Sequence, residues 1–244
     1  MRYAIISDIH ANLEALQAVL DDIDKNKIDE VLCLGDIVGY GANPNECVEL
    51  VSERCRVCIK GNHDAAALDI LSTLQFNINA KIAIEWTVKE LKTKNLNFLS
   101  ALPVHETIND ITLVHSTPYE PGMWYYISSL EEAAFNFKHF STPVCFTGHT
   151  HLPMIVEMDS SGDTYLNKKK EVAIENNAGS RILVNVGSVG QPRDRNPKSS
   201  YGIFDSEKNH FHYRRVAYDI EKTQAKMRKI KMPEFLINRL SEGR

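Results

Sequence analysis

The chain has 244 residues, 43% hydrophobic and 25% charged, with a formal net charge of -4. That is the make-up of an ordinary soluble protein long enough for a sizeable core, which excludes a disordered chain. The mild negative charge argues against a general nucleic-acid coat, which needs a basic surface. It excludes no small anionic substrate, because metal ions can reverse the sign locally.

Tyr3 to Ser7 reads as a buried strand. Leu13, Leu16, Val19, Leu20 and Ile23 then fall at spacings of three and four, one apolar face of a helix. Glu30 to Leu34 is a second strand, and Pro44 and Asn45 open a helix carrying Val48, Val51 and Cys55. Arg56 to Lys60 is a third strand, so the β-α-β-α-β order predicts a parallel sheet with right-handed crossovers. Residues 64–100 read as helical, with Ile78, Ile82, Ile84, Val88 and Leu91 as candidate core. Ile111 to Val114 and Pro143 to Thr147 are strands, separated by a helix from Ser129 to Phe140 that Ser129 would cap. Six strands follow, at Met154–Met158, Asp163–Leu166, Glu171–Ile174, Ile182–Val186, Tyr201–Asp205 and His210–Tyr218. With few helices between them, antiparallel pairing is expected, with Lys168 to Lys170 as a hairpin tip. A last helix runs from Asp219 to Met232, Pro233 breaks it, and a short amphipathic tail follows.

Five cysteines are odd in number and sit mostly in apolar runs. Strand-core thiols and a reducing, cytoplasmic compartment are expected rather than a disulfide framework. Asp8 interrupts the opening apolar stretch, so no signal-peptide core forms. No apolar run approaches the about 20 residues of a membrane span.

Five strands each deliver Asp, His or Asn just past their C-terminal ends. Asp8-Ile-His10 follows the first and Gly35-Asp36 the second. Gly61-Asn62-His63-Asp64 follows the third, His115 the fourth, and Gly148-His149-Thr-His151 the fifth. In an open parallel sheet that edge is where ligands bind. Asp, His and Asn suit manganese, iron, nickel or zinc rather than copper(I). Asp8, His10, Asp36, Asn62, His115, His149 and His151 exceed what one tetrahedral zinc needs, and two metals sharing a carboxylate would use them all.

This ordered set, with the fuller strings SDIHANLEAL, GDIVGYGANP, GNHD, VHSTP, GHTHLP and NVGSVGQPRD, resembles the calcineurin-like metallophosphoesterase superfamily and its prokaryotic small-phosphodiesterase branch. The resemblance implies an α/β fold of two packed β-sheets flanked by helices on both outer faces. It implies a metallophosphoesterase domain over 1–218, with 219–244 a helical tail packed on or extending it. Asp8, His10 and His151 would hold one divalent metal ion, Asn62, His115 and His149 a second, and Asp36 would bridge them. Manganese leads the candidates for both ions. His63 would be the catalytic acid, with Asp64 placed to orient it. The implied activity is attack of a metal-bridging hydroxide on a small or nucleotide-like phosphodiester. A phosphomonoesterase and a dinucleoside polyphosphate hydrolase are the alternatives, and a non-catalytic scaffold of the same fold is a third. No ligand position is replaced here, which favours an enzyme over the scaffold.

Other positions carry two readings each. Asn12 can touch phosphate or cap the first helix. Ser188, in Gly187-Ser-Val-Gly190, lies in a loop that offers backbone donors or is a tight turn. Arg193 is a phosphate fork or a surface ion pair. Tyr119, Trp124, Tyr125 and Tyr126 can stack a nucleobase or pack a long loop. His105, His139, His210 and His212 read as surface or core histidines, and Lys222 to Lys231 as a solvated helical face. Gly35-Asp-Ile-Val-Gly-Tyr-Gly41 lacks the second acid and the Arg of the protein phosphatases' GDxVDRG. P-loop, GxSxG and HExxH motifs are absent. A homo-oligomer is compatible with the sequence.

Overall fold

The computed structural model describes residues 1–174 and 179–244. The opening β-α-β-α-β unit forms as expected, from β1 (Arg2–Ile6), α1 (Leu13–Lys25), β2 (Glu30–Cys33), α2 (Pro44–Arg54) and β3 (Val57–Cys58). The three strands are parallel, with Ile5 opposite Leu32 and Cys33 opposite Cys58. β3 is shorter than the apolar run suggested. The Lys60 amide leaves the ladder and donates to the Pro103 carbonyl at 2.7 Å. β11 (Ser199–Asp205), β12 (His210–Val216) and β9 (Glu171–Ala173) complete a six-stranded sheet in the order β3-β2-β1-β11-β12-β9.

The second sheet has the order β4-β5-β6-β10-β7-β8. Its strands are β4 (His105–Ile108), β5 (Ile111–Val114), β6 (Val144–Thr147), β10 (Arg181–Asn185), β7 (Met154–Met158) and β8 (Thr164–Asn167). β10 joins β6 in parallel, so the second half is not wholly antiparallel as expected. β8 and β9 lie in different sheets, so Lys168 to Lys170 span from one sheet to the other and form no hairpin tip.

The two-residue period of β1 and β2 assigns the layers. Tyr3, Ile5, Leu32 and Leu34 face a core shared with Leu113, Phe146, Val184 and Phe211 of the other strands. Ala4, Ile6, Val31 and Cys33 face Leu16, Val19, Leu20, Val48 and Val51 of α1 and α2. On the far side, Val114, Cys145 and Leu183 meet Ala133 of α6 (Leu130–Asn136), with Phe137 and Phe140 just beyond it. The result is the expected helix–sheet–sheet–helix sandwich. Ser129 caps α6 in a capping box with Glu132.

The stretch after β3 contains α3 (Asn62–Ala67), a 3-10 turn (Thr73–Gln75), α4 (Ile78–Glu90) and α5 (Thr93–Ala101). Ile84 and Leu91 are buried, but Ile78, Ile82 and Val88 are exposed, contrary to expectation. The inward face of α4 is Ala80, Ala83, Ile84 and Thr87. Small residues there let α7 (Ile220–Lys229) and α8 (Glu234–Glu242) approach closely, so Ala80 and Ala83 share a cluster with Met227, Leu236 and Ile237. The basic face of α7 is not wholly solvated. Lys226 and Lys222 pair with the largely buried carboxylate of Glu14 at 2.7 and 3.3 Å. Among the described residues no helix is long and apolar enough to cross a membrane.

Candidate metal centre

The loops after β1, β2, β3, β5 and β6 converge, and all seven candidate ligands are buried where they meet. Five of the seven, Asp8, His10, Asp36, His149 and His151, have φ between 50° and 68°. Non-glycine residues rarely adopt that left-handed conformation, and strain of this kind gathers at functional sites. Glycines make the crossing possible. A Cβ at Gly61 would collide with the Asp36 carboxylate, and one at Gly148 with Ser7 Oγ.

Backbone carbonyls set the imidazole tautomers. Nδ1 of His10, His115 and His151 donates to the carbonyls of Val38 (3.1 Å), Leu34 (2.9 Å) and Gln191 (2.6 Å). A carbonyl can only accept, so each Nε2 of the neutral ring carries a lone pair. His149 is reversed, with Nε2 donating to the Trp124 carbonyl at 3.0 Å. These inward nitrogens meet carboxylates. His151 Nε2 lies 3.2 Å and His10 Nε2 3.8 Å from Asp8 Oδ1. Asp36 Oδ2 sits between the two histidine groups, 3.6 Å from His10 Nε2 and 3.4 Å from His115 Nε2. The Asn62 carbonyl oxygen is 3.2 Å from His115 Nε2.

This donor set fits cations. Asp8, His10 and His151 form one group able to hold a metal ion, Asp36, His115 and His149 a second, and His10, Asp36 and His63 a third. Asp8 Oδ1 is buried without a hydrogen-bond partner among the described residues, and His10 and His151 face each other Nε2 to Nε2 at 3.1 Å. Two lone pairs at that distance repel unless a positive charge lies between or beside them. Burial would raise the carboxyls of Asp8 and Asp36, but the surrounding imidazoles outweigh it and hold both below the usual carboxylate range. Burial opposes charge on His115, yet Asp36 pushes it up to about 9.

His63 lies beside the seven candidate ligands, with its ring 4.8 Å from His10, 4.5 Å from Tyr40 and 5.0 Å from Phe76. Burial lowers it to about 4. Asp64 does not orient it. Among the described residues His63 Nδ1 has no hydrogen-bond partner, and the Asp64 oxygens accept from the amides of Ile37 (2.9 Å), Val38 (3.2 Å) and Gly61 (3.0 Å). Burial and the Asp36 charge push the Asp64 carboxyl up to about 8, against three N–H donors that favour its ionised form. Asp64 therefore clips the loop carrying Asp36 to the loop carrying Asn62.

Two residues read as substrate contacts are used within the fold. Asn12 caps α1 through the Ala15 amide at 3.2 Å and donates to the Gly190 carbonyl at 2.8 Å. Ser188 Oγ donates to the Asp8 carbonyl and accepts from the Gln191 amide, both at 2.8 Å. Arg193 makes no surface ion pair among the described residues. Its guanidinium lies 5.9 Å from the centre of the Tyr40 ring, Nη2 donates to Gln191 Oε1 at 2.9 Å, and Nε is buried without a partner. Its charge is felt at His63 and His151, so it stands at the edge of the site.

The aromatic loop divides. Tyr119 and Tyr125 stack on each other at 6.1 Å and pack the loop. Trp124 lies edge-on to His115 at 5.9 Å, and Tyr126 stacks on His149 at 4.1 Å.

A family model described as the calcineurin-like phosphoesterase superfamily domain matches residues 1–209. The chain belongs to the calcineurin-like phosphoesterase superfamily. An uncharacterized protein of Methanocaldococcus jannaschii is 43% identical over 99% of this chain and 98% of its own. A metallophosphoesterase crystal structure from Sphaerobacter thermophilus is 42% identical with a TM-score of 0.87, over 100% of this chain and 99% of that one. A hypothetical protein from Pyrococcus horikoshii, 19% identical over 100% of this chain and 98% of its own, shares the fold with a TM-score of 0.82. Membership makes this chain a metal-dependent phosphoester hydrolase.

Sequence reasoning missed Tyr40, Leu71, Phe76 and Met123, which line the phosphoesterase cleft with His63 and His149. Tyr40 sits inside the GDIVGYG string and was within reach of the sequence. The other three carry no local mark.

Proposed function

We propose that this phosphoesterase is a binuclear-metal phosphodiesterase acting on small or nucleotide-like phosphate esters. The observation that carries the reading is Asp36 Oδ2, held between His10 Nε2 on one side and His115 Nε2 on the other. Asp8, His10 and His151 would hold one divalent ion and Asn62, His115 and His149 the other, with Asp36 shared. Manganese is the leading candidate, with iron, nickel or zinc in the same donor class. When bound, two such ions attract the phosphate and lower the pKa of water toward 7.

The protein's own groups do the rest. Asp64, Gly61 and Gly148 hold the ligand loops in register. Arg193, whose charge is felt at His63 and His151, would attract a phosphate oxygen at the edge of the site. His63, packed between Tyr40 and Phe76, would give a proton to the departing alcohol oxygen once a bound phosphate anion raises its basicity, a step that typically contributes roughly 10²–10⁴-fold. Five free cysteines accord with a reducing, cytoplasmic setting. The test is turnover of bis(4-nitrophenyl) phosphate and 4-nitrophenyl phosphate by manganese-loaded protein, with and without chelator. Chelator-sensitive turnover favouring the diester is expected. Absence of turnover of both overturns the reading.

A further inference from the structure

The ligand cluster opens into a cleft of 190 Å³ whose floor is Asn62, His63 and His149. One wall is Leu71 and Phe76, from the segment between α3 and α4, with Ala80 of α4, and the other is Met123, Trp124 and Tyr126. Each wall carries a ring braced by a floor histidine, Phe76 against His63 and Tyr126 against His149. Among the described residues no Lys, Arg, Asp or Glu lines the cleft; its remaining lining is Tyr40, Ser72 and Asn77.

Two of the lining residues stand well out into water, Met123 at 59% and Tyr126 at 55% exposure. Leu74, on the same segment as Leu71 and Phe76, and Ile78, which opens α4, are 86% and 67% exposed. Such a concentration of exposed apolar side chains marks a place where something apolar binds.

We propose that this cleft is the specificity site for the alcohol half of the substrate, and that it takes an uncharged aromatic or apolar group rather than a polyphosphate chain. The proposal rests on the phosphoesterase reading, because the floor fixes where the phosphate sits. An occupant must place an anionic phosphate on that floor and its ester group between the two walls. An apolar cavity of about 150 Å³ admits benzene, so there is room here for a single ring or a short alkyl chain. A second or third phosphate would face Leu71, Phe76 and Met123 with no Lys or Arg among the described lining residues to receive it. Phe76 and Met123 thereby select among esters without touching the reacting oxygen.

The experiment uses two non-hydrolysable probes, phenylphosphonate and methylphosphonate, with pyrophosphate as a third. Binding to manganese-loaded full-length protein is measured by calorimetry. Phenylphosphonate should bind at least tenfold more tightly than methylphosphonate. Phe76→Ala on one wall and Met123→Ser on the other should each collapse that ratio toward one. Met123 is exposed, so its variant guards against a loss caused by misfolding. Equal affinities in the parent protein, an unaltered ratio in both variants, or pyrophosphate binding more tightly than phenylphosphonate would each overturn the proposal. So would a Met123→Ser variant that keeps the ratio but changes the sedimentation mass, which would make the lip a contact between copies. Phosphonate binding is read independently of turnover, so an inactive protein that still shows the ratio refutes the hydrolase reading and leaves the cleft assignment standing.

Discussion

Asp64 offers a sharp separation between a structural and a catalytic carboxylate. It is wholly buried and accepts from three amides, those of Ile37, Val38 and Gly61, at 2.9 to 3.2 Å. Asp64→Ala leaves three buried N–H groups without acceptors, at about 1–3 kcal/mol each. Partial relaxation of the loops places the total loss at roughly 3–6 kcal/mol, against a total stability of about 5–15 kcal/mol for a typical protein. Asp64→Asn keeps Oδ1 for Ile37 and Val38 but turns an NH2 toward the Gly61 amide, so roughly 1–3 kcal/mol is lost. The assay pairs urea unfolding of metal-free protein with metal content after manganese loading and dialysis. The expected order in both is parent, Asn, Ala, because loosening the clip frees the Asp36 and Asn62 loops together. If Asp64→Asn instead keeps full stability and full metal content while kcat falls, Asp64 acts on His63 after all and the clip assignment is refuted.

Other outcomes follow from single contacts. Asn12→Ala should lose the α1 cap and its bond to Gly190, costing about 1–2 kcal/mol and roughly 2–8 °C in Tm. The KM for an aryl diester should match the parent, and a raised KM at unchanged Tm would restore a substrate role. At Asp22, burial raises the carboxyl, but Arg214 (2.8 and 3.1 Å) and the Tyr201 hydroxyl (2.7 Å) outweigh it and hold it below its ordinary value. A depressed folded pKa adds stability above the unfolded value near 3.9 that is lost as pH falls. Asp22→Asn should therefore cost about 1 kcal/mol at neutral pH, discounted for the part-exposed Arg214. That difference should close below about pH 4, and one that grows with acid would contradict the assignment.

The convergence of the seven candidate residues was legible because its signal is local. Each apolar strand run ends abruptly in Asp, His or Asn, and parallel strands carry those ends to one edge. The sandwich was legible for a similar reason, since the alternation of Tyr3, Ala4, Ile5 and Ile6 leaves both faces of β1 needing cover. What stayed hidden depends on where an oxygen points or which element covers a face. Adjacency put Asp64 next to His63, but its carboxylate turns back to three amides. Asn12 and Ser188 brace Gly190 and Asp8, contacts across roughly 180 residues that no window of sequence displays. Ile78, Ile82 and Val88 looked like core, yet Ala80 and Ala83 are inside and those three are out. Tight packing chose the small side chains, and the larger ones were left in water beside the cleft segment.

The central claim is that two cations share Asp36, and anomalous diffraction from crystals of manganese-loaded protein tests it most directly. Two peaks are predicted, one among Asp8, His10 and His151 and one among Asn62, His115 and His149, with the Asp36 carboxylate contacting both. A single peak, or two peaks that leave Asp36 without a metal contact, would contradict the account.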